Sequence, residues 1–60
     1  MNPIPQEKII PGIKVKYIYL LDKPDTYKIV TIEKQLSQFN KVKVSELYYP
    51  VCENHLFELF

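Results

Sequence analysis

Two short stretches in which aliphatic residues alternate with lysines constrain the fold of this chain more than any other feature. They are residues 13–17, Ile-Lys-Val-Lys-Tyr, and residues 41–44, Lys-Val-Lys-Val. Successive side chains of an extended backbone point to opposite faces, so each stretch separates its aliphatic residues from its lysines. This period of two is typical of a strand with one buried face. The sequence therefore predicts a small, mainly β, antiparallel domain.

The length of the chain limits how such a domain can be stabilised. Its 60 residues suffice for one domain, which buries only about 60% of the surface of the unfolded chain. Small domains often add disulfides, a metal or self-association, but the single cysteine, Cys52, cannot form an internal disulfide. Hydrophobic residues at 47% make an efficient core plausible. We expect a proline-containing, extended lead-in over residues 1–8 and one domain over residues 9–60.

Three segments have the composition of strands. The first covers residues 13–21, and its second half is apolar on both faces, which predicts a long strand that becomes fully covered. The second covers residues 27–34 and the third residues 41–47. In the third segment we expect Val42 and Val44 to face the core.

Turn residues separate these segments. Gly12, the only glycine, follows a proline and suits a turn that needs a positive φ. Asn40 suits a left-handed turn position before the third strand. In the loop that precedes it, Leu36 and Phe39 are expected to act as apolar anchors.

The C-terminal tail fits either a helix or a strand. Residues 56–60 have apolar side chains at helical spacing, but they also read as a last strand. We favour a short strand that follows a helical turn over residues 53–56. Phe57, Leu59 and Phe60 are apolar, so we expect this end of the chain to be docked.

Two pairs of side chains in the sequence are candidates for metal binding or catalysis. Cys52 and His55 have the spacing of two zinc ligands or of a thiol nucleophile and its base. A structural zinc needs four ligands, and a nucleophile needs a pocket and an oxyanion site. The other pair, Asp22 and Asp25, is expected to stabilise a turn around a proline. We therefore expect no catalytic residue, no metal site and no cofactor.

Aromatic residues provide a first candidate binding surface. Exposed tyrosines at strand ends can stack on a peptide or on unpaired bases, whereas tyrosines at the edge of a core only cover it. We favour packing over binding as the role of most of them. Two of them are also expected to lie close together across the first hairpin, Tyr19 and Tyr27. The candidate set is Tyr17, Tyr19, Tyr27, Tyr48 and Tyr49.

Lysines provide a second candidate surface, made of Lys14, Lys16, Lys41 and Lys43. If the first and third strands are neighbours, these four side chains form a positive stripe that could touch phosphates or an acidic protein. The alternative, which we favour, is a solvated face that protects a sheet edge. The absence of arginine and the net charge of +1 weaken a nucleic-acid function.

Residues 11–15, 27–32 and 41–44, together with the helical turn expected before the last strand, resemble those of an SH3-like small barrel. The resemblance implies four or five short antiparallel strands and a short helical turn near the C-terminus. The chain lacks the acidic loop and the tryptophan of peptide-binding SH3 domains, so no ligand site is implied. Unrelated functions occur on such barrels.

The residues lead to three hypotheses about function. The first is a non-enzymatic interaction module that binds a protein partner, or a second copy of itself, through its tyrosines. The second is a nucleic-acid-binding barrel that uses the lysines. The third is an accessory protein of a phage or mobile element that inhibits a host protein, suggested by a composition typical of AT-rich genomes. The lack of a signal sequence and of a long apolar run predicts a cytoplasmic protein without membrane association.

Overall fold

The computed structural model describes residues 4–36 and 40–59 of the chain. Five antiparallel strands form one sheet in the order β4-β3-β2-β1-β5. Two short 3-10 helices, Gln6–Lys8 and Glu53–His55, are the helical elements of the described residues. The prediction of a mainly β, antiparallel fold is confirmed. The strands are β1 (Lys14–Tyr17), β2 (Lys28–Gln35), β3 (Lys41–Val44), β4 (Val51–Cys52) and β5 (Leu56–Phe57).

The longest strand, β2, holds the sheet together because its two halves pair with different neighbours. Its first half pairs with β1, where Val30 lies opposite Val15. Its second half pairs with β3, where Ile32 lies opposite Val44, and the register shifts just beyond Ile32. Such an irregularity bends a strand and increases its twist. The sheet therefore curls, and its inward side chains converge on one core.

The core consists of aliphatic side chains from every strand. Val42 and Val44 are completely buried, so the predicted facing of the third strand is confirmed. Tyr17 and Leu47 pack against the edge of this core. The core cluster is formed by Ile4, Ile9, Val15, Val30, Ile32, Val42, Val44, Val51 and Leu56.

The first strand is shorter than the sequence predicts. It ends at Tyr17, and after the buried Ile18 the chain leaves the sheet. Two consecutive turns follow, closed by hydrogen bonds from Lys23 N to Leu20 O (2.9 Å) and from Thr26 N to Lys23 O (3.0 Å). Residues 19–21 are therefore exposed, and the expectation of a long strand covered on both faces is wrong. The third strand also ends early, at Val44, because a turn begins at the next residue.

Both predicted left-handed positions are present. Gly12 has φ +92° and Asn40 has φ +52°. The amide of Gly12 donates to Ile32 O at 2.8 Å, while Ile32 N donates to Ile13 O at 3.0 Å. The positive φ of Gly12 thus lets the chain turn into β1 while still bonding to β2.

The C-terminal segment follows the favoured prediction. The 3-10 helix Glu53–His55 is followed by β5, and Leu56 is completely buried. The separate short strand β4 was not predicted. A link of only three residues joins the two edge strands, β4 and β5, which requires the sheet to curl. These edges are not paired with each other, so the sheet is not closed into a barrel by strand pairing.

Residues 4–8 differ from the extended lead-in expected for residues 1–8. Ile4 is only 9% exposed and belongs to the core, and its amide donates to Leu56 O at 3.0 Å. It thereby covers part of the outer edge of β5. The domain boundary at residue 9 stays a prediction. The expected apolar anchors Phe39 and Phe60 lie outside the described residues.

Candidate interaction surface

Three aromatic rings meet where β1 ends and the second 3-10 helix ends. The ring centroids of Tyr17 and Tyr19 are 6.1 Å apart at an interplanar angle of 32°. Tyr17 and His55 are 6.4 Å apart at 41°. These separations are within the range of favourable aromatic pairs. Tyr17 lies on the same face of β1 as the buried Val15, so it is half-buried at the rim of the core.

His55 is held at this rim by two contacts with Ile18. Ile18 N donates to His55 O at 3.0 Å, and His55 Nδ1 lies 2.8 Å from Ile18 O. A carbonyl oxygen can only accept, so Nδ1 must be the donor. The neutral ring therefore has its lone pair on Nε2, and its orientation is fixed by the backbone.

The hydroxyl of Tyr17 is close to several other titratable groups. Burial raises the pKa of Tyr17 above its usual value of 10.0, and the nearby Tyr49, Cys52 and Tyr19 raise this pKa further. Tyr17 is therefore a neutral hydrogen-bond donor at physiological pH. We define the tyrosine surface as Tyr17, Tyr19, Tyr49 and His55.

The other two candidate tyrosines lie outside the tyrosine surface. Lys16 Nζ lies 4.9 Å from the ring centroid of Tyr27, which is a cation–π contact. The aromatic contact of Tyr19 in the described residues is with Tyr17, not with Tyr27 as the sequence suggested. Tyr48 is fully exposed in the loop before β4. The sequence could not separate these two tyrosines from the other three, because all five lie at or close to the end of a strand.

The four candidate lysines do not form the stripe that the sequence suggested. That stripe required β1 and β3 to be neighbours, but β2 lies between them. The positive charge of Lys43 is also balanced by nearby groups. Its Nζ lies 3.6 Å from Glu33 Oε2 and donates to Val44 O and Leu47 O. Lys41 Nζ lies 3.3 Å from Cys52 Sγ.

The remaining lysines of the set, Lys14 and Lys16, lie on β1. Lys14 Nζ donates to Thr31 Oγ1 at 3.4 Å, and Lys16 covers the ring of Tyr27. These contacts are exposed and are typical of a solvated sheet face. Their binding role stays a prediction.

Glu46 makes a contact that the sequence analysis missed. Its Oε1 accepts from Thr31 N at 2.6 Å and its Oε2 accepts from Thr31 Oγ1 at 2.8 Å. Ser45 N donates to Thr31 O at 2.9 Å, at the end of the β2–β3 ladder. The Thr31 amide, which would otherwise donate to a backbone carbonyl of β3, donates to the Glu46 carboxylate instead. The Thr31 amide is the main cause that lowers the pKa of Glu46 below its usual value of 4.5. The sequence signal for this contact was weak, an acidic residue near the end of the predicted third strand.

Cys52 and His55 each contact a different part of the chain. No group of three or more histidine, cysteine or acidic side chains in residues 4–36 and 40–59 is placed to hold a metal ion. Cys52 Sγ contacts Lys41 Nζ, and His55 Nδ1 donates to Ile18 O. The two contacts explain the positions of both side chains without a ligand.

A shallow groove of about 370 Å³ lies between the N-terminal segment and β1. The Lys8 Nζ–Glu58 Oε1 ion pair, at 2.6 Å, forms part of its wall. Its other lining residues are Ile4, Ile13, Lys14, Val15 and Leu59. Two of these, Ile4 and Leu59, adjoin residues outside the described part of the chain.

Within the described residues, no helix has the length and hydropathy required to span a membrane. Comparison of the chain with models of protein families, with curated proteins and with solved structures finds no match.

Proposed function

We propose that this chain is a non-enzymatic interaction module that binds a protein partner, or a second copy of itself, through the tyrosine surface. The observation that carries the proposal is the convergence of Tyr19 and His55 on Tyr17, with ring centroids 6.1 and 6.4 Å from that of Tyr17, at the rim of the core. Tyrosine is enriched at interface hot spots because it combines a large apolar area with a polar tip. A rigid backbone contact orients His55, so the surface is largely pre-formed.

The exposure of apolar side chains supports the same proposal. Large exposed apolar residues that lie together mark interaction sites more often than scattered ones do. Tyr19 is continuous in sequence with the exposed Leu20 and Leu21, which extend the apolar surface into the β1–β2 turn. The exposed set in the described residues, each at least 41% accessible, is Ile10, Ile13, Tyr19, Leu20, Leu21, Tyr27, Ile29, Tyr48 and Tyr49.

The arrangement of strands supports the narrower proposal of an SH3-like small barrel. A 3-10 turn precedes the last strand, and the central strand β2 is shared between the two halves of the sheet. The unpaired edges of β4 and β5 are a departure from a closed barrel. A cytoplasmic location, and inhibition of a host protein by a phage or mobile-element product, are further proposals that rest on the sequence alone.

Nucleic-acid binding is the second candidate class, and it is less well supported. The lysines of β1 and β3 are separated by β2, and Lys43 is paired with Glu33. Nucleic-acid binding would show an affinity that falls steeply with salt, because counterions are released from phosphates. Binding through tyrosines would depend only weakly on salt.

Affinity capture of partner proteins from a lysate of the source cell tests the proposed function. The tagged chain is compared with a surface variant, Tyr19→Ala with Tyr49→Ala, and a matched control, Tyr27→Ala with Tyr48→Ala. We expect the wild type and the control to retain the same partner and the surface variant to lose it, while all three melt cooperatively. Light scattering over a range of concentrations detects self-association. Equal capture by both double variants, with no loss of self-association in the surface variant, would falsify the proposal.

A further inference from the structure

We propose that the tyrosine surface receives an acidic segment of the partner polypeptide. This inference rests on the proposed function and adds the chemistry of the partner. Its basis is the combination of hydroxyl donors that lie close together and lysines that flank them.

The phenol groups supply the donors. Tyr17, Tyr19 and Tyr49 each have an O–H that can donate, and the latter two are close enough to Tyr17 to raise its pKa. A set of neutral donors at the rim of an apolar core suits an acceptor group such as a carboxylate. Carboxylates accept several hydrogen bonds at once, and charge strengthens each bond.

Two lysines flank this set of donors. Lys28 lies opposite Tyr17 in the β1–β2 register, and directly opposite residues of an antiparallel pair share a face. Lys41 Nζ lies 3.3 Å from the thiol of Cys52, which directly precedes the 3-10 helix that ends at His55. The tyrosine surface is therefore bordered by positive charge on two sides.

One carboxylate lies close to this border. The nearest acidic residue in sequence to Cys52 is Glu53, whose Oε2 accepts from Gln35 Nε2 at 3.1 Å. One carboxylate that already has a partner leaves a net positive border, which is complementary to an acidic segment.

An acidic polypeptide suits this surface better than a nucleic acid does. The chain has no arginine and a net charge of only +1, whereas tight binding to phosphates usually requires a larger basic area. The lysines named above, Lys28 and Lys41, are spaced apart along the border of the tyrosine surface. Carboxylates on a polypeptide can be spaced to match them, while the aromatic rings cover apolar side chains of the same segment.

The test uses the full chain, labelled with ¹⁵N, and three probes of equal length. The probes are a glutamate-rich peptide, the same peptide with glutamine in place of glutamate, and oligo-thymidylate. We expect the glutamate peptide to shift the amide resonances of Tyr17, Tyr19, Tyr49 and His55, and the glutamine peptide to leave them unchanged. Lys28→Gln should weaken binding about two- to fivefold, as expected for one exposed ion pair. Lys34→Gln, an exposed position at the far end of β2, is the matched control and should have no effect.

Several outcomes would overturn the inference. They are equal shifts with both peptides, no shifts with the glutamate peptide at millimolar concentration, equal effects of the two lysine variants, and preferential binding of oligo-thymidylate. If capture of a partner depends on the tyrosine surface but the glutamate peptide does not bind, only the inference about partner chemistry fails. If capture does not depend on this surface, the proposed function fails as well.

Discussion

Replacement of Glu46 by alanine should destabilise the fold more than any other change at an exposed acidic residue in the described part of the chain. Its carboxylate accepts two hydrogen bonds from Thr31, one from the amide at 2.6 Å and one from the hydroxyl at 2.8 Å. The amide faces β3 at the point where the ladder ends, and alanine would leave it without this acceptor. Hydrogen bonds to charged groups contribute about 1.5–3 kcal/mol, and exposure to solvent reduces this.

We therefore expect Glu46→Ala to lower the free energy of unfolding by about 1–2 kcal/mol. For a domain of this size, each kcal/mol lowers Tm by roughly 4–8 °C. Thermal and urea unfolding, followed by circular dichroism, would measure the loss. Glu33→Ala is the matched control, since the Glu33–Lys43 pair is exposed and its atoms are 3.6 Å apart. It should change stability by less than about 0.5 kcal/mol.

The same contact predicts a dependence on pH. The folded state lowers the pKa of Glu46 from its usual 4.5, so its contribution is fully present above that pH. It is lost as the pH falls through the lower, folded pKa. The wild type should therefore lose stability in acid more steeply than Glu46→Ala does. Equal stability of the Glu46 and Glu33 variants, or parallel acid curves for Glu46→Ala and the wild type, would refute this reasoning.

Three further changes test the core and the backbone. Val44→Asp should abolish cooperative unfolding, because it places an unpaired charge at a completely buried position; a native-like melting curve would contradict the facing of β3. Ile4→Ala should cost about 2 kcal/mol in urea unfolding, since Ile4 belongs to the core, and an unchanged midpoint would show that this residue is not packed. Gly12→Ala should cost about 1–2 kcal/mol by the same assay. This cost is conformational, because a Cβ at Gly12 would meet nothing within 4 Å, while the backbone φ is +92°. An unchanged stability would contradict this positive φ.

Much of the fold could be predicted from local patterns. Alternation located Val42 and Val44 in the core, and single residues with known turn preferences located Gly12 and Asn40 at positive φ. The second strand was predicted as residues 27–34 and is observed as Lys28–Gln35. These features depend on a few neighbouring residues, so the sequence contains enough information to place them.

Other features depend on contacts between distant residues. The extension of the first strand to residue 21 was wrong because β2 begins at Lys28, opposite Tyr17, and the chain turns after Ile18. The burial of Ile4 depends on β5, which follows some fifty residues later and offers Leu56 O to its amide. The order of strands could not be read from the chain either. The strand order places β2 between β1 and β3. It therefore separates the lysines of these two strands, which the sequence grouped together.

The candidate surface likewise combines a feature that the sequence identifies with one that depends on contacts between distant residues. The sequence identified the tyrosines as a class, but it could not single out Tyr17, Tyr19 and Tyr49. That selection depends on the position of the second 3-10 helix, which brings His55 to Ile18. His55 was considered only as a metal ligand or a base. Its role in ordering an aromatic surface follows from its contact with the backbone of a residue 37 positions away.

The most direct test of the tyrosine surface as the binding site is to map the surface of the ¹⁵N-labelled chain that the captured partner contacts. We expect the partner to shift or broaden the amide resonances of Tyr17, Tyr19, Tyr49 and His55, at low and at moderate salt. The resonances of Lys14 and Lys43 should stay in place. Perturbation centred on those lysines, with the tyrosine resonances unmoved, would contradict the account.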